Sequence, residues 1–333
     1  MRQNRFQNRI TAGRLTLPVS ILLSLVCWTV AALLLPSPTA AKPAEEYSLW
    51  QMLGFPGLSD GISLAAGYLL YSLAAWLLIL LNNTYAIIRM RASVQTVVYI
   101  LLVAVCPTLH PLHAGNAAAL ALVLALFFLF GSYQHSQPAS GVFHAFVFLG
   151  AGSMILPQLT FLVPVFWIGA YNFKALQPKS FVASLLGWIL PYWFLLGHAY
   201  FYGEMELFYQ PFRELVRFTP VAQGWLLYEI APLAYLLVLL MVSAAHCLVA
   251  GYEDKIRTRS YLHFLIFLSF CLLVFTVLQP PLAVHLLPLL LVPGCILVGH
   301  LFVLTSSRTS NVFFIVALAG LFILFGFNLW MLL

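Results

Sequence analysis

Leu282 to Thr305 reads LAVHLLPLLLVPGCILVGHLFVLT, without one Asp, Glu, Lys or Arg. A helix that crosses a bilayer needs about 20 mostly apolar residues, within a range of about 17–25. This stretch meets that requirement. Its apolar residues run continuously rather than alternating, so it does not read as one of the ~10-residue strands of a membrane barrel. Further apolar runs lie at 17–35, 63–81, 94–106, 117–131, 141–156, 159–171, 181–201, 225–250, 261–278 and 311–333. With 282–305 they make eleven. The expected fold is all-α, a polytopic transmembrane bundle forming a single membrane domain over 1–333.

Composition agrees. Of 333 residues, 63% are hydrophobic and only 7% are charged, against about 45–50% and 25% in soluble domains. Mean hydropathy is +0.99. So few charges do not cover a water-soluble surface of this size. Soluble, disordered, disulfide-stapled and nucleic-acid-binding classes are thereby excluded. Cys27, Cys106, Cys247, Cys271 and Cys295 fall in or at the ends of apolar runs without a CxxC pair, and read as small buried thiols.

The net charge of +6 then reads through the positive-inside rule. With the amino terminus in the cytoplasm and the carboxy terminus outside, the inner segments carry Arg2, Arg5, Arg9, Arg14, Arg89, Arg91, Lys174, Lys179, Lys255, Arg257, Arg259 and Arg308. The outer segments carry only Lys42, Arg213 and Arg217. Most acids lie outside: Glu45, Glu46, Asp60, Glu204, Glu206, Glu214 and, just within a helix end, Glu229. Glu253 and Asp254 are inside. Residues 1–16 form a basic cytoplasmic tail, and 17–35 reads as an uncleaved signal-anchor helix. The runs 94–106, 117–131, 141–156 and 159–171 are short, and each pair either crosses or forms a re-entrant hairpin. Pro107, Pro111, Pro157 and Pro164 interrupt them, which suits the wall of a cavity.

The outer segments 36–62 and 202–224 hold the candidate chemistry, each with an interfacial helix expected. Glu45, Glu46 and Asp60 are candidate catalytic carboxylates, with a divalent metal as a conceivable companion; the plainer reading is a solvated acidic loop. Tyr47 and Trp50 would hold this loop at headgroup depth. Arg213 and Arg217, spaced i, i+4, share one helix face and suit a lipid phosphate; pairing with Glu214 and its neighbours is the plainer reading. His110 and His113 flank an outer tip and join the phosphate or metal candidates, with His198 and His285 near the same face. Glu229 is a carboxylate inside an apolar run, one turn from the surface. His144, His246, His263 and His300 lie toward the inner half and read as packing groups. The basic segment 172–180 faces anionic headgroups.

Between Asn82 and Tyr202 stand Pro107, Gly115-Asn116, Leu129-Phe130-Gly131-Ser132-Tyr133, Gly150-Ala151-Gly152-Ser153, Pro157, Pro164-Val165-Phe166-Trp167, Gly187-Trp188 and Pro191. On these residues the stretch resembles uncharacterised multi-pass inner-membrane proteins of Bacteroidota. That resemblance implies a bacterial inner-membrane location and no activity. More distantly, the layout resembles membrane glycosyltransferases of the GT-C type, which take sugars from polyprenyl-phosphate carriers on the outer face. It implies an acidic motif at Glu45, Glu46 or Asp60 and a carrier-phosphate contact at Arg213 or Arg217. The chain departs from that type in its Glu-Glu pair, where an early Asp is usual, and in lacking a large outer domain. Glycosyl transfer is thus one expected function. A non-catalytic scaffold or assembly factor with a membrane-protein partner is the second, and a lipid or solute transporter the third. Membrane lipids are the expected partners in each case.

Overall fold

The computed structural model describes residues 6–35, 50, 52–53, 57–88, 93–216, 225–251 and 254–333. Glu45, Glu46, Tyr47 and Arg217 lie outside the described residues. The described chain is helical, with no strand. In order, the helices are α1 Phe6–Thr11, α2 Thr16–Leu34, α3 Asp60–Tyr85, α4 Val94–Ala104, α5 Ala114–Gly131, α6 Ala139–Ile155, α7 Leu162–Asn172, α8 Pro178–Tyr202, α9 Met205–Val216, α10 Leu227–Ala250, α11 Ile256–Leu278, α12 Ala283–Leu304 and α13 Arg308–Leu332. Short 3-10 turns at Pro107–Leu109, Pro157–Phe161 and Pro280–Leu282 precede α5, α7 and α12. Each apolar run of the sequence centres on one helix, although the run 159–171 begins within the 3-10 turn before α7, while α1 and α9 come from the polar segments.

Eight helices are long and apolar enough to cross a membrane: α2, α3, α5, α8, α10, α11, α12 and α13. The chain is a multi-pass membrane protein. Helices α4 and α7 have 11 residues each, rising about 16 Å at 1.5 Å per residue, against a hydrocarbon core about 30 Å thick. Proline explains the interruptions. Pro107, Pro157 and Pro280 each open a 3-10 turn, where a missing N–H costs nothing.

Helix α12 is the axis of the bundle. Its span is 94% buried, whereas those of α2 and α13 are each 22% buried. It packs on α4, α5, α10 and α11. Gly299 lets α4 close in, since a Cβ there would lie 3.0 Å from the backbone of Gln95. A second lobe pairs α6 with α8 through two reciprocal approaches. A Cβ on Gly150 would lie 2.5 Å from the Trp188 carbonyl, and one on Gly187 would lie 2.5 Å from the Phe143 carbonyl. Small residues at helix crossings serve this purpose in membranes, where dispersion rather than the hydrophobic effect holds helices together.

Hydrogen bonds between distant segments define two ends. At the first, the tip, Leu112 N–H donates to Ser63 O at 3.1 Å, and Asn328 Nδ2 donates to Val105 O at 2.8 Å. At the second, the tail, Gln134 N–H donates to Phe173 O at 3.0 Å, and Gln7 Nε2 donates to Phe302 O at 2.8 Å. Helix directions put Asp60, Glu204, Glu206, Arg213, Glu214 and Glu229 at the tip. They put Arg9, Arg14, Lys174, Lys179, Asp254, Lys255, Arg257, Arg259 and Arg308 at the tail. The tail segment is not a loose arm, because α1 docks on α12 and α13. Trp50 is buried within the same apolar cluster as Trp28 and Tyr71, rather than displayed on the surface.

Candidate functional site

The tip is built around the turn from Cys106 to His113. Helix α3 meets this turn edge-on at Gly67, where a Cβ would lie 2.2 Å from the His110 carbonyl. Leu112 N–H donates to both the carbonyl and the Oγ of Ser63. Asn116 fastens the turn from inside: its Oδ1 accepts from His113 N–H at 2.8 Å, and its Nδ2 donates to Pro111 O at 3.2 Å. Such reciprocal capping satisfies donors that a helix start leaves open.

The histidines complete this frame. His113 Nδ1 accepts from Gly115 N–H at 3.1 Å. That bond fixes the tautomer, because an accepting Nδ1 leaves the proton on Nε2. Nε2–H then points to Tyr71 Oη at 3.4 Å. His285 Nδ1 lies 3.2 Å from His113 Nδ1, on the other side of the same turn. His110 stacks on the Trp28 indole, ring centres 3.8 Å apart and 10° from parallel, and its Nε2 donates to Ala104 O at 3.2 Å. Burial pushes the His110 imidazole down to about 3 from its ordinary 6.5, so it is neutral at physiological pH. His110, His113 and His285 are all buried.

The other sequence-predicted residues sit apart from this cluster. Asp60 opens α3 in its first turn, where a helix favours a negative charge. Glu229 caps α10: its Oε2 accepts from Leu226 N–H at 3.2 Å. His198 lies on α8 against the Tyr202 ring, 4.5 Å between centres. Arg213 lies on α9 and pairs with Glu206 two turns earlier, both side chains exposed. Helix α9 is strongly amphipathic, and Phe212 anchors it to Tyr192 of α8 at 5.2 Å. Arg213 shares an open face of α9 with Tyr209, Phe212 and Val216.

At the tail the structure assembles a cluster that sequence reading missed. His300 Nε2 lies 3.2 Å from Asp254 Oδ2, with both side chains 1% exposed. On the other side of the same ring, Nδ1 lies 3.5 Å from Cys247 Sγ. His246 stands next to it, 6.0 Å between ring centres. These residues come from α10, the segment before α11, and α12. A sequence reading finds no acid inside the runs near His300, because Asp254 enters from a connecting segment. Among the described residues, no group of three His, Cys, Asp or Glu side chains is placed to hold a metal ion.

No protein-family model, no curated protein and no solved structure matches this chain.

Proposed function

We propose that this multi-pass protein lies in a bacterial inner membrane with its tail end in the cytoplasm and its tip end outward. There it handles a phosphate-bearing lipid, and its reaction is sugar transfer from a polyprenyl-phosphate carrier. The observation that supports this reading is Arg213, on an amphipathic helix at the acid-rich end and on an open face that it shares with Tyr209 and Phe212. A guanidinium in that setting suits a lipid phosphate that lies at headgroup depth. A carboxylate from Asp60, Glu45 or Glu46 would take the proton of the acceptor hydroxyl. Arg213 and Arg217 would hold the charge that develops on the departing carrier phosphate. The orientation draws on the basic residues gathered at the tail.

Native mass spectrometry of the gently purified chain tests this reading. A retained polyprenyl-phosphate species, lost in Arg213→Ala and Arg217→Ala, supports it, as does loss of sugar transfer in Asp60→Asn or Glu46→Gln. Bulk phospholipid alone, with those variants silent, overturns it.

A second reading is a non-catalytic scaffold of an envelope complex. The observation favouring it is that His110, His113 and His285 all face the interior and engage the fold itself. It predicts a membrane-protein partner in stoichiometric amount after purification and indifference to Asp60→Asn.

A further inference from the structure

At the tail a cavity of about 550 Å³ opens between α1, α2, α4, α10 and α13, and α12 forms its floor. Its walls are apolar, among them Val97, Leu101, Tyr235, Leu318 and Leu321. Its volume lies within the range of small-ligand sites, about 300–1,000 Å³. Two positive side chains, Arg9 and Arg14, border it, and no acidic residue lines it. Neither arginine makes an ion pair among the described residues.

The helix and the turn that carry the arginines are held in place. Gln7 pins α1 over the cavity: its Nε2 donates to Phe302 O and Thr305 O, and its backbone N–H donates to Asn311 Oδ1 at 3.0 Å. The turn into α2 is closed by Thr16 Oγ1, which donates to Ile10 O at 2.5 Å. Arg9 and Arg14 flank that turn. The depth also fits one class of ligand. Along α13 the lining runs from Phe314 to Phe322. At 1.5 Å per residue this is about 12 Å, close to the depth of one leaflet of a core about 30 Å thick.

We infer that this groove is a binding site for an anionic phospholipid of the leaflet on the tail side, its phosphate held by Arg9 and Arg14 and an acyl chain lying along α4 and α13. The shape and the charge point to the same occupant. A soluble phosphate has no use for the apolar depth, and a zwitterionic lipid brings its own cation beside the phosphate and so gains less from two arginines. This site stands at the opposite end from Arg213 and does not depend on the reading of the tip.

The test uses the full chain in a mild neutral detergent, with thermal stability followed against added lipid, since a ligand that binds the folded form raises it. Short-chain phosphatidylglycerol, short-chain phosphatidylcholine and inorganic phosphate are titrated separately. Phosphatidylglycerol is expected to bind more tightly than phosphatidylcholine by roughly fivefold per arginine, about 25-fold in all, with no shift from inorganic phosphate. The Arg9→Gln, Arg14→Gln double variant is expected to bind the two lipids equally. Val97→Phe, which fills the groove and keeps both charges, is expected to weaken both. Arg213→Ala is expected to leave the preference intact, so a failure here is separable from a failure at the tip. Equal binding of the two lipids by the wild-type chain, a preference that survives in the double variant, or a full response to inorganic phosphate would each overturn the inference.

Discussion

The two ends of the bundle use histidine in different ways. At the tip, His113 and His110 bond to Gly115 N–H, Ala104 O and the Tyr71 hydroxyl. The partners are neutral, and the result is a rigid turn that needs no charge. At the tail, His300 faces a buried carboxylate, Asp254, and a thiol, Cys247, brought from other parts of the chain. There a buried carboxylate and imidazole depend on each other, and a buried charge is costly without a partner. The contrast shows why a histidine near a helix end is not one kind of residue. Its chemistry follows from whether the fold places an acid against it.

The largest test of this contrast is at the tail. His300→Ala removes the imidazole from the buried Asp254 carboxylate, and a loss of about 3–5 kcal/mol is expected. Unfolding in mixed micelles measures it. Adding Asp254→Asn to His300→Ala is expected to restore part of that stability; no restoration would break the view that Asp254 and His300 act as a pair.

The next test concerns the close approach at the tip. Gly67→Ala places a methyl 2.2 Å from the His110 carbonyl, and Gly115→Ala places one 2.5 Å from the His285 carbonyl. Overpacking typically costs about 1–3 kcal/mol, and a backbone obstacle puts both at the upper end. Gly197→Ala, which meets nothing within 4 Å, is the control and is expected to be neutral or slightly stabilising.

A smaller effect separates charge from shape at the tip. His110→Phe keeps the stacking on Trp28 and loses the bond to Ala104 O, at a cost of about 1 kcal/mol near neutral pH. The pH profile sharpens this. The folded His110 titrates near 3 rather than 6.5, so the unfolded chain binds the proton first. Stability that is complete above pH 6.5 therefore falls as the pH drops toward 3. His110→Phe is expected to flatten that part of the curve, and an unchanged slope would assign it to other groups. The smallest effect is expected at the surface of α9. Glu206→Gln breaks an exposed pair with Arg213, worth about 0.5 kcal/mol or less.

Much of the fold was legible because helix formation and apolar length are local properties. The run 282–305 became α12, Ala283–Leu304, and 17–35 became α2, Thr16–Leu34. The run 159–171 was less well read. Pro157 turns its beginning into a 3-10 segment, Pro157–Phe161, before α7 begins at Leu162. The candidate site was only partly legible. His110 and His113 stood out as phosphate or metal candidates, and only the fold places the two rings against different partners. Glu229 stood out as a carboxylate in an apolar run, and its bond to Leu226 N–H makes it a cap.

The amino-acid sequence by itself determined that this is a helical membrane protein, where its apolar helices lie, and how its charges alternate between connecting segments. Each of these depends on residues within about 20 positions of one another. The tertiary structure decided which helix is central, that His300 meets Asp254 and Cys247, and that Gln7 reaches residues 295 positions away to close a groove beside Arg9 and Arg14. The physical reason is that membrane helices associate through close packing and a few polar contacts, and those contacts join surfaces whose distance in the chain carries no periodic mark.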